Sequence, residues 1–272
     1  MAHLWACSFN LAPRRRIAAR VDQGQLLDFD ASVHVVIRKN PYENARSPQE
    51  NRLVIVFTAL AAASGAMEIA GQAIGSRTIV YIFKPLTMLF IIGIALIGIS
   101  DSKSYRKLIV AALCCSLAGD VLLMLPSDQF VPGLLSFLIA HCFYIAAFRT
   151  RPSGLLSTRF GLACLGYGSL MLWLLFPYLG DMKLPVLIYL IVVLLMAWRA
   201  LTRWAMNRNR RTLLAALGAS LFVVSDSMIA INRFYVRFRL ADLLIMLTYF
   251  VAQWLIAMSV GRSGRLHSPN RE

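Results

Sequence analysis

The chain has 272 residues, of which 58% are hydrophobic and only 15% are charged, and its mean hydropathy is +0.65. A soluble domain carries about 25% charged residues, so this composition excludes a soluble globular protein and indicates a chain that crosses a membrane several times. The formal net charge is +15, but the arginines are scattered between apolar segments, as in the cytoplasmic loops of membrane proteins. Nucleic acid is therefore not expected as a partner, because binding it requires basic residues clustered on one face.

Residues 1–51 are more polar than the chain that follows, and they contain several charged side chains. The apolar run before Arg14 is too short and too interrupted for a signal peptide. We interpret the region as a polar N-terminal extension on the cytoplasmic side, with disorder as one alternative. Residues 261–272 are again polar and are expected to form a frayed C-terminal tail.

Eight apolar segments lie between these polar regions, and each has close to the ~20 residues that a helix needs to cross the hydrocarbon core. Their approximate bounds are 52–72, 79–100, 107–126, 130–149, 159–179, 183–203, 212–233 and 239–260. The links are short and contain turn-forming residues, which makes consecutive helices antiparallel neighbours. The sequence therefore predicts an all-α, polytopic membrane protein whose eight transmembrane helices form one domain over residues 52–260.

Lysine and arginine are distributed unequally between the two sides of this arrangement. The loops on the side of both termini contain Lys103, Arg106, Lys107, Arg149, Arg151, Arg159, Arg203, Arg208, Arg210, Arg211, Arg262 and Arg265, and the opposite loops contain Arg77, Lys183, Arg233, Arg237 and Arg239. Because positive residues concentrate on the cytoplasmic side, both termini are predicted to be cytoplasmic. The last outer loop, with three arginines, is the discordant one, and its arginines are candidates for contacting phosphates.

Two of the apolar segments carry an aspartate: Asp120 lies in SLAGDVLLML and Asp226 lies in ALGASLFVVSDSM. A carboxylate within a membrane helix is costly, so such residues usually face the interior of the bundle and take part in function. At 1.5 Å per residue, both aspartates lie roughly 10 Å from the outer ends of their helices, and nearby small residues let another helix approach closely. We predict one shared polar site around the pair; the alternative is that each aspartate only hydrogen-bonds a neighbouring helix.

Other polar side chains lie in the same membrane segments and are candidates for binding a substrate. From the pattern of the residues, these are Lys84, His141, Tyr144, Ser225, Arg233, Tyr249 and Gln253. Lys84 is either a counter-ion for a carboxylate or lipid phosphate, or a lysine that extends to the membrane surface. Arg233 follows Asp226 by seven residues and is predicted to share its helical face about two turns outward. Glu68 is the weakest candidate of the group.

Motifs of several common chemistries are absent from the sequence, including the GxSxG elbow, the P-loop, the Gly-rich dinucleotide turn and the HExxH and CxxC metal patterns. His141 is more typical of a hydrogen-bonded core histidine than of a metal ligand, and no metal site is predicted. Two kinds of chemistry remain, namely carboxylate acid–base catalysis on a lipid and proton-coupled transport that uses the same aspartates.

At these residues the chain resembles the YhhN-like lysoplasmalogenase family of membrane proteins, over roughly residues 52–260. The matching pieces are Lys84-Pro85-Leu86-Thr87-Met88, Ala118-Gly119-Asp120, Leu123, Phe130, Gly133, Phe137, His141, Tyr144, Phe148, Gly218-Ala219, Phe222, Ser225-Asp226-Ser227, Asn232-Arg233-Phe234, Tyr249 and Gln253. The resemblance implies hydrolysis of the vinyl-ether bond of lysoplasmalogens to a fatty aldehyde and a glycerophospho head group. It also implies that Asp120 and Asp226 are the catalytic pair, and it adds Asn232 to the substrate-binding candidates.

The implied chemistry agrees with the residue types. Protonation of the β-carbon of a vinyl ether gives an oxocarbenium ion, to which water adds before the hemiacetal collapses, and glycosidases handle a related ion with two carboxylates. Burial and mutual repulsion are expected to keep one aspartate protonated near neutral pH, but the sequence does not decide which of the two is the acid. No metal or organic cofactor is required.

We therefore expect a lysoplasmalogenase-type ether hydrolase with a lysophospholipid substrate, contacts to membrane lipids and a location in a bacterial inner membrane. The first alternative is a proton-coupled transporter, and the second is an assembly protein whose aspartates only join helices. Oligomeric state, head-group preference and activity towards acyl-lysolipids are left open by the sequence.

Overall fold

The computed structural model describes residues 17–21, 25–29, 35–37, 48–98, 102–127, 129–149 and 155–261. The chain divides into two compact units, Met1–Ala45 and Arg46–Glu272. In the first unit, strands β1 (Ile17–Val21), β2 (Gln25–Phe29) and β3 (Val35–Ile37) pair antiparallel in that order. From the sequence we predict only a polar extension here, whereas these three runs are rich in the β-branched and other apolar residues that favour sheets. The predicted C-terminal tail beyond Gly261 lies outside the described residues.

The second unit contains eight described helices that are long and apolar enough to cross a membrane. They are α1 (Pro48–Ala73), α2 (Arg77–Ile97), α3 (Lys103–Met124), α4 (Phe130–Ala147), α5 (Leu155–Leu175), α6 (Lys183–Asn207), α7 (Arg210–Ala230) and α8 (Ala241–Met258). Short 3₁₀ turns at Phe176–Tyr178 and Gly180–Met182 connect α5 to α6. The predicted eight-helix membrane fold is confirmed, with helix ends that differ from the sequence prediction by about one turn or less.

Local sequence explains where several helices begin and end. The Ser102 hydroxyl accepts a hydrogen bond from the Tyr105 N–H at 3.3 Å and caps α3. Arg208 ends α6 in the left-handed conformation, with φ of 45°, and the Asn209 side chain then accepts a hydrogen bond from the Thr212 N–H at 2.9 Å. These caps produce the tight turn that sets α6 and α7 side by side.

Helix α8 lies at the centre of the contacts that position the two aspartates. It packs against α7, its neighbour in sequence, and also against α1, α2 and α3, while α4 packs against both α3 and α6. Because α3 and α7 both contact α8, the helices that carry Asp120 and Asp226 approach the same region of the bundle.

Two glycines show why small residues surround the aspartates. A Cβ atom added to Gly218 of α7 would lie 2.8 Å from the Ala252 carbonyl oxygen of α8, and one added to Gly119 of α3 would lie 2.7 Å from the Phe137 ring of α4. Both distances are too short for a real side-chain atom. The prediction that small residues permit close helix approach at these points is confirmed.

The C-terminal end of α7 is not the regular helix that the sequence predicts through residue 233. The α-helix ends at Ala230, and Ile231–Tyr235 forms a π-helical turn. The Asn232 side-chain oxygen accepts a hydrogen bond from the Phe238 N–H at 3.3 Å, which fixes the loop that follows. A π turn changes the angle between successive residues, so the segment from Asp226 to Arg233 is not one regular α-helix.

Candidate active site

The first aspartate belongs to a group of three side chains that we call the Asp120 cluster: Asp120, Lys84 and Tyr249. The Lys84 ammonium lies 3.4 Å from one carboxylate oxygen of Asp120, and the Tyr249 hydroxyl donates to the other at 2.5 Å. The side chains of Lys84 and Asp120 are only 9% and 2% exposed. Lys84 therefore acts as a counter-ion inside the bundle and does not extend to the membrane surface.

Tyr144 and Gln253 form a second buried contact beside this cluster. The Tyr144 hydroxyl donates to the Gln253 side-chain oxygen at 2.6 Å, and neither residue is exposed. Gln253 lies one helical turn beyond Tyr249 on the same face of α8. The contact joins α4 to α8 next to the helical turn that carries Tyr249.

The second aspartate belongs to the Asp226 cluster, which consists of Asp226, Tyr189 and His141. The Tyr189 hydroxyl donates to a carboxylate oxygen of Asp226 at 2.8 Å, and the His141 Nε2 lies 3.9 Å from the same oxygen. His141 is fully buried, with its ring 4.7 Å from that of Phe222, whereas the Asp226 side chain is 14% exposed. Of the described residues, only His141 comes within ion-pair distance of Asp226.

Asp226 and Tyr189 lie in the wall between two small apolar cavities of about 60 and 50 Å³. The α4–α6–α7 cavity is lined by Leu123, Phe130, Leu134, Phe137, Val186, Tyr189, Asp226, Ile229, Ala230 and Phe234. The α5–α6–α7 cavity is lined by Met171, Leu172, Leu175, Leu179, Val186, Tyr189, Leu190, Val193, Val223, Asp226, Ser227 and Ala230. Each cavity is smaller than a typical small-molecule site, and Asp226 is the one charged residue among the described residues that line it.

Arg233 stands at the rim of the α4–α6–α7 cavity. Its guanidinium carbon lies 3.8 Å from the ring centroid of Phe130 and 5.9 Å from that of Phe234, and both rings line the cavity. Such stacking fixes a guanidinium in place through cation–π attraction. Packing on these aromatic rings therefore holds Arg233 next to the cavity that Asp226 lines.

Aromatic rings separate the Asp120 cluster from the Asp226 cluster. The Phe137 ring lines the α4–α6–α7 cavity and lies 6.0 Å from the Tyr249 ring. The Phe222 ring lies 5.5 Å from Tyr249 and 4.7 Å from His141. The structure thus brings the predicted residues into two adjoining clusters, in which each aspartate has its own hydrogen-bond donor.

Two further predicted residues contact the backbone. The Ser225 hydroxyl donates to the Ile245 carbonyl oxygen at 3.1 Å and joins α7 to α8. Asn232 holds the loop before α8, as described above. Ser225 precedes Asp226 and Asn232 precedes Arg233, so these two hydrogen bonds help to fix the backbone next to each of those residues.

Sequence reasoning missed Tyr189, the hydrogen-bond donor to Asp226. It also missed Tyr167, whose hydroxyl donates at 2.7 Å to Ser227, the residue after Asp226. The available signal was a single tyrosine within the apolar run LPVLIYLIVVLL, since a tyrosine hydroxyl in such a place needs a polar partner. The partner itself lies on another helix and is not visible in the run.

The fold and the two clusters define the class of the protein: an integral membrane protein of eight transmembrane helices with two inward-facing carboxylates in adjoining clusters. The YhhN family model matches residues 79–260 of the chain. The chain therefore belongs to the YhhN family, as its motifs predict.

Relatives of the chain occur in bacteria and in mammals. Human lysoplasmalogenase TMEM86B is 40% identical over 166 residues, which cover 60% of this chain and 68% of that protein. Human lysoplasmalogenase TMEM86A is 40% identical over 161 residues, covering 57% of this chain and 65% of the relative. The membrane protein YhhN of Escherichia coli is 29% identical over 181 residues, which cover 66% of this chain and 86% of that protein. No solved structure matches the chain.

Proposed function

We propose that this protein is a lysoplasmalogenase, an integral membrane hydrolase that cleaves the vinyl-ether bond of lysoplasmalogens to a fatty aldehyde and a glycerophospho head group. The names of its human relatives support this activity. The observation that carries the proposal is the position of Asp226 in the wall of an apolar cavity that has Arg233 at its rim. This combination suits a lipid with one hydrocarbon chain and an anionic head group. None of these features favours the alternative of a proton-coupled transporter.

In the proposed reaction, Asp226 is the acid. A carboxyl group beside apolar cavities, with a tyrosine as its hydrogen-bond donor and no Lys or Arg within ion-pair distance among the described residues, is suited to hold a proton. It donates this proton to the alkenyl carbon that carries no oxygen. The other alkenyl carbon then becomes the centre of an oxocarbenium ion.

Asp120 is the proposed base. Lys84, 3.4 Å away, favours its ionised form, in which Asp120 can stabilise the cation and take a proton from the attacking water. The hemiacetal that forms releases the glycerol oxygen as an alcohol and leaves the aldehyde. One water is consumed, and the proton lost by Asp226 is replaced by the proton that Asp120 removes from water.

The Phe137 ring lies between Asp120 and the α4–α6–α7 cavity. We propose that substrate binding displaces this ring and lets water reach Asp120. Phe137→Leu, which shortens the side chain, should then keep most of the activity. A bulkier Phe137→Trp should lower kcat, and equal activity of both variants would remove the ring from the mechanism.

The lipid is proposed to lie with its phosphate at Arg233 and with its alkenyl chain entering at the α4–α6–α7 cavity, which widens to admit it. A guanidinium binds phosphate through paired hydrogen bonds, and here it is held in place by the Phe130 ring. The vinyl ether, which directly follows the glycerol, then lies near Asp226. The Asp120 cluster, His141 and the Tyr144–Gln253 contact keep the polar groups around the reaction in position.

The particular membrane and the orientation of the protein in it are also part of the proposal. The eight apolar helices make this an integral membrane protein, and we propose the inner membrane of a bacterium with both termini in the cytoplasm. The excess of lysine and arginine in the loops on the side of the termini supports that orientation. In this proposed orientation, both clusters lie in the outer half of the membrane.

The direct test is to incubate the purified protein in mixed micelles with a lysoplasmalogen and to measure the release of fatty aldehyde. The matched controls are an acyl-lysophospholipid with the same head group and the variant Asp226→Asn. We expect aldehyde from the vinyl-ether lipid alone and only from the wild-type protein. Equal aldehyde release by wild type and Asp226→Asn would refute the proposed activity at this site.

A further inference from the structure

A third carboxyl group lies inside the membrane domain, in α1. Glu68 is 0% exposed, and one of its oxygens accepts a hydrogen bond from the side-chain amide of Gln72. The other oxygen, Oε2, is also buried and has no hydrogen-bond partner in the part of the chain that the structure describes. A buried carboxyl oxygen without a donor is costly, and Glu68 precedes residues 79–260, which carry the family match.

Contacts between α1 and α2 bring the face of α1 that carries Glu68 against the part of α2 that carries Lys84. Ser64, one turn before Glu68 on the same face, donates to the Phe83 carbonyl oxygen at 3.1 Å and accepts from the Thr87 hydroxyl at 3.0 Å. These contacts lie on both sides of Lys84 in the sequence of α2. Glu68 therefore faces the part of α2 from which Lys84 extends towards Asp120.

The charged groups around Glu68 come from three other helices. Lys84 of α2, Asp120 of α3 and Asp242 in the first turn of α8 act on it electrostatically, while α1 itself contributes the neutral Gln72. Asp242 is exposed, whereas Lys84 and Asp120 are buried. The titratable Tyr249 completes the surroundings through its hydrogen bond to Asp120.

The interior group thus contains two carboxyls and one ammonium. If both carboxyls were ionised, the group would carry one uncompensated negative charge within the membrane, which is strongly unfavourable. A single proton held by the two carboxyls removes that charge. Interacting carboxyls of this kind titrate as a unit, so the proton belongs to the pair.

We propose that Glu68 and Asp120 share one proton on either side of Lys84, so that Glu68 is a positioning residue that sets the pH at which Asp120 becomes the ionised base. The role in catalysis rests on the proposed function. The shared proton is a property of the protein without substrate and is tested separately. When the proton is on Glu68, Asp120 is an anion paired with Lys84 and is ready to accept a proton from water.

The substitution Glu68→Gln tests this role, because glutamine keeps the shape of the side chain and the acceptor for Gln72 but cannot ionise. Removing a second potential anion favours the ionised form of Asp120. The acid limb of the kcat/KM profile should therefore move to lower pH, by about one pH unit. Glu68→Asp, which can still ionise, should keep the limb near its wild-type position. Asp181→Asn removes an exposed carboxyl between α5 and α6 and should change nothing.

A different result is expected if Glu68 only stabilises the fold. Glutamine would then leave the pH profile unchanged, and any loss would appear as a lower Tm. An unchanged acid limb in Glu68→Gln, in a variant with the wild-type Tm, overturns the inference. A limb that moves to higher pH overturns it as well, because it would show that Glu68 favours ionisation of Asp120.

Infrared spectroscopy tests the shared proton without any substrate. The measurement uses an Asp226→Asn background, because the proton proposed for Asp226 gives a C=O stretch of its own. In that background, the C=O stretch of one protonated carboxyl should be present at neutral pH, and adding Asp181→Asn should not change it. The same band should be lost in both Glu68→Gln and Asp120→Asn, since either change leaves Lys84 with one carboxylate and no proton to share. Loss of the band in only one of the two variants assigns the proton to a single residue and overturns the sharing.

The two measurements also separate this inference from the proposed function. If the wild type releases no aldehyde but the band behaves as expected, the shared proton stands and the proposed reaction fails. If aldehyde is released but Glu68→Gln changes neither the band nor the acid limb, the reaction stands and the inference about Glu68 fails.

Discussion

The two aspartates have similar positions in the sequence pattern but different surroundings in the structure. Asp120 is enclosed, with Lys84 at 3.4 Å and Tyr249 at 2.5 Å. Asp226 is hydrogen-bonded by Tyr189, adjoins His141 and lines two apolar cavities. An ammonium favours a carboxylate anion, whereas an apolar cavity favours a carboxyl that keeps its proton. The comparison shows how neighbours on other helices can give identical residues opposite roles.

The largest expected effect comes from neutralising either aspartate. Asp226→Asn removes the proposed acid and Asp120→Asn removes the proposed base, so each should lower kcat by about 10² to 10⁴. Residues that act as a unit are not additive, so the double variant should be no worse than the weaker single variant. Rates of aldehyde release at saturating substrate measure this. Activity near the wild-type value in either single variant would remove that aspartate from the mechanism.

Lys84→Met tests, through the stability of the protein, whether Lys84 pairs with Asp120 alone. The substitution removes the ammonium from a buried ion pair and should lower the free energy of unfolding by about 3 kcal/mol, read as a lower Tm in detergent. Adding Asp120→Asn removes the unpaired carboxylate and should recover most of the lost stability. Adding Asp226→Asn to Lys84→Met should restore none of it. Recovery of Tm by both second substitutions would show that the two aspartates share Lys84.

Tyr189→Phe tests the donor of the Asp226 cluster. It removes one hydrogen bond from the proposed acid and should lower kcat about tenfold, with little change in KM. Tyr167→Phe is the matched control, because its hydroxyl donates to the adjacent Ser227 at the similar distance of 2.7 Å. The control should keep nearly full activity. Equal losses in the two variants would mean that Tyr189 acts only by holding helices together.

Arg233→Gln should affect binding more than chemistry. The phosphate contact is present in both the bound substrate and the transition state, so KM should rise several-fold while kcat changes little. Arg237→Gln, which removes a neighbouring exposed arginine, serves as the control. A vinyl-ether substrate without phosphate should show a much smaller difference between wild type and Arg233→Gln. The same loss on both substrates would leave Arg233 as a residue that only packs on Phe130.

The smallest effect on activity is expected from single-cysteine variants, whose labelling tests whether both clusters lie in the outer half of the membrane. In a background without native cysteines, single cysteines replace the exposed residues Ser104, Ser127 and Asn207. Each variant should keep nearly full activity. An impermeant thiol reagent should label position 127 from outside, and positions 104 and 207 only after the cytoplasmic side is opened. Labelling of 127 and 207 from the same side would overturn the proposed orientation.

The sequence by itself determined the membrane class, the eight helices and the family. Long apolar runs can satisfy their backbone hydrogen bonds in a membrane only as helices, so their number and approximate ends can be read directly. The YhhN family match confirms the resemblance carried by motifs such as Ser225-Asp226-Ser227. The cost of placing a carboxylate in lipid also singled out Asp120 and Asp226, whose catalytic role stays a prediction.

Only the tertiary structure decided which partner each of these residues has. Tyr189 was missed because a tyrosine in an apolar run does not reveal which helix supplies its acceptor. The regular spacing that linked Arg233 to Asp226 is interrupted by the π turn, and packing on Phe130 brings Arg233 to the cavity instead. Lys84 had two possible positions in the sequence, and its contact with Asp120 selects the interior one. Contacts between helices depend on how the faces of distant segments meet, and no local pattern encodes that geometry.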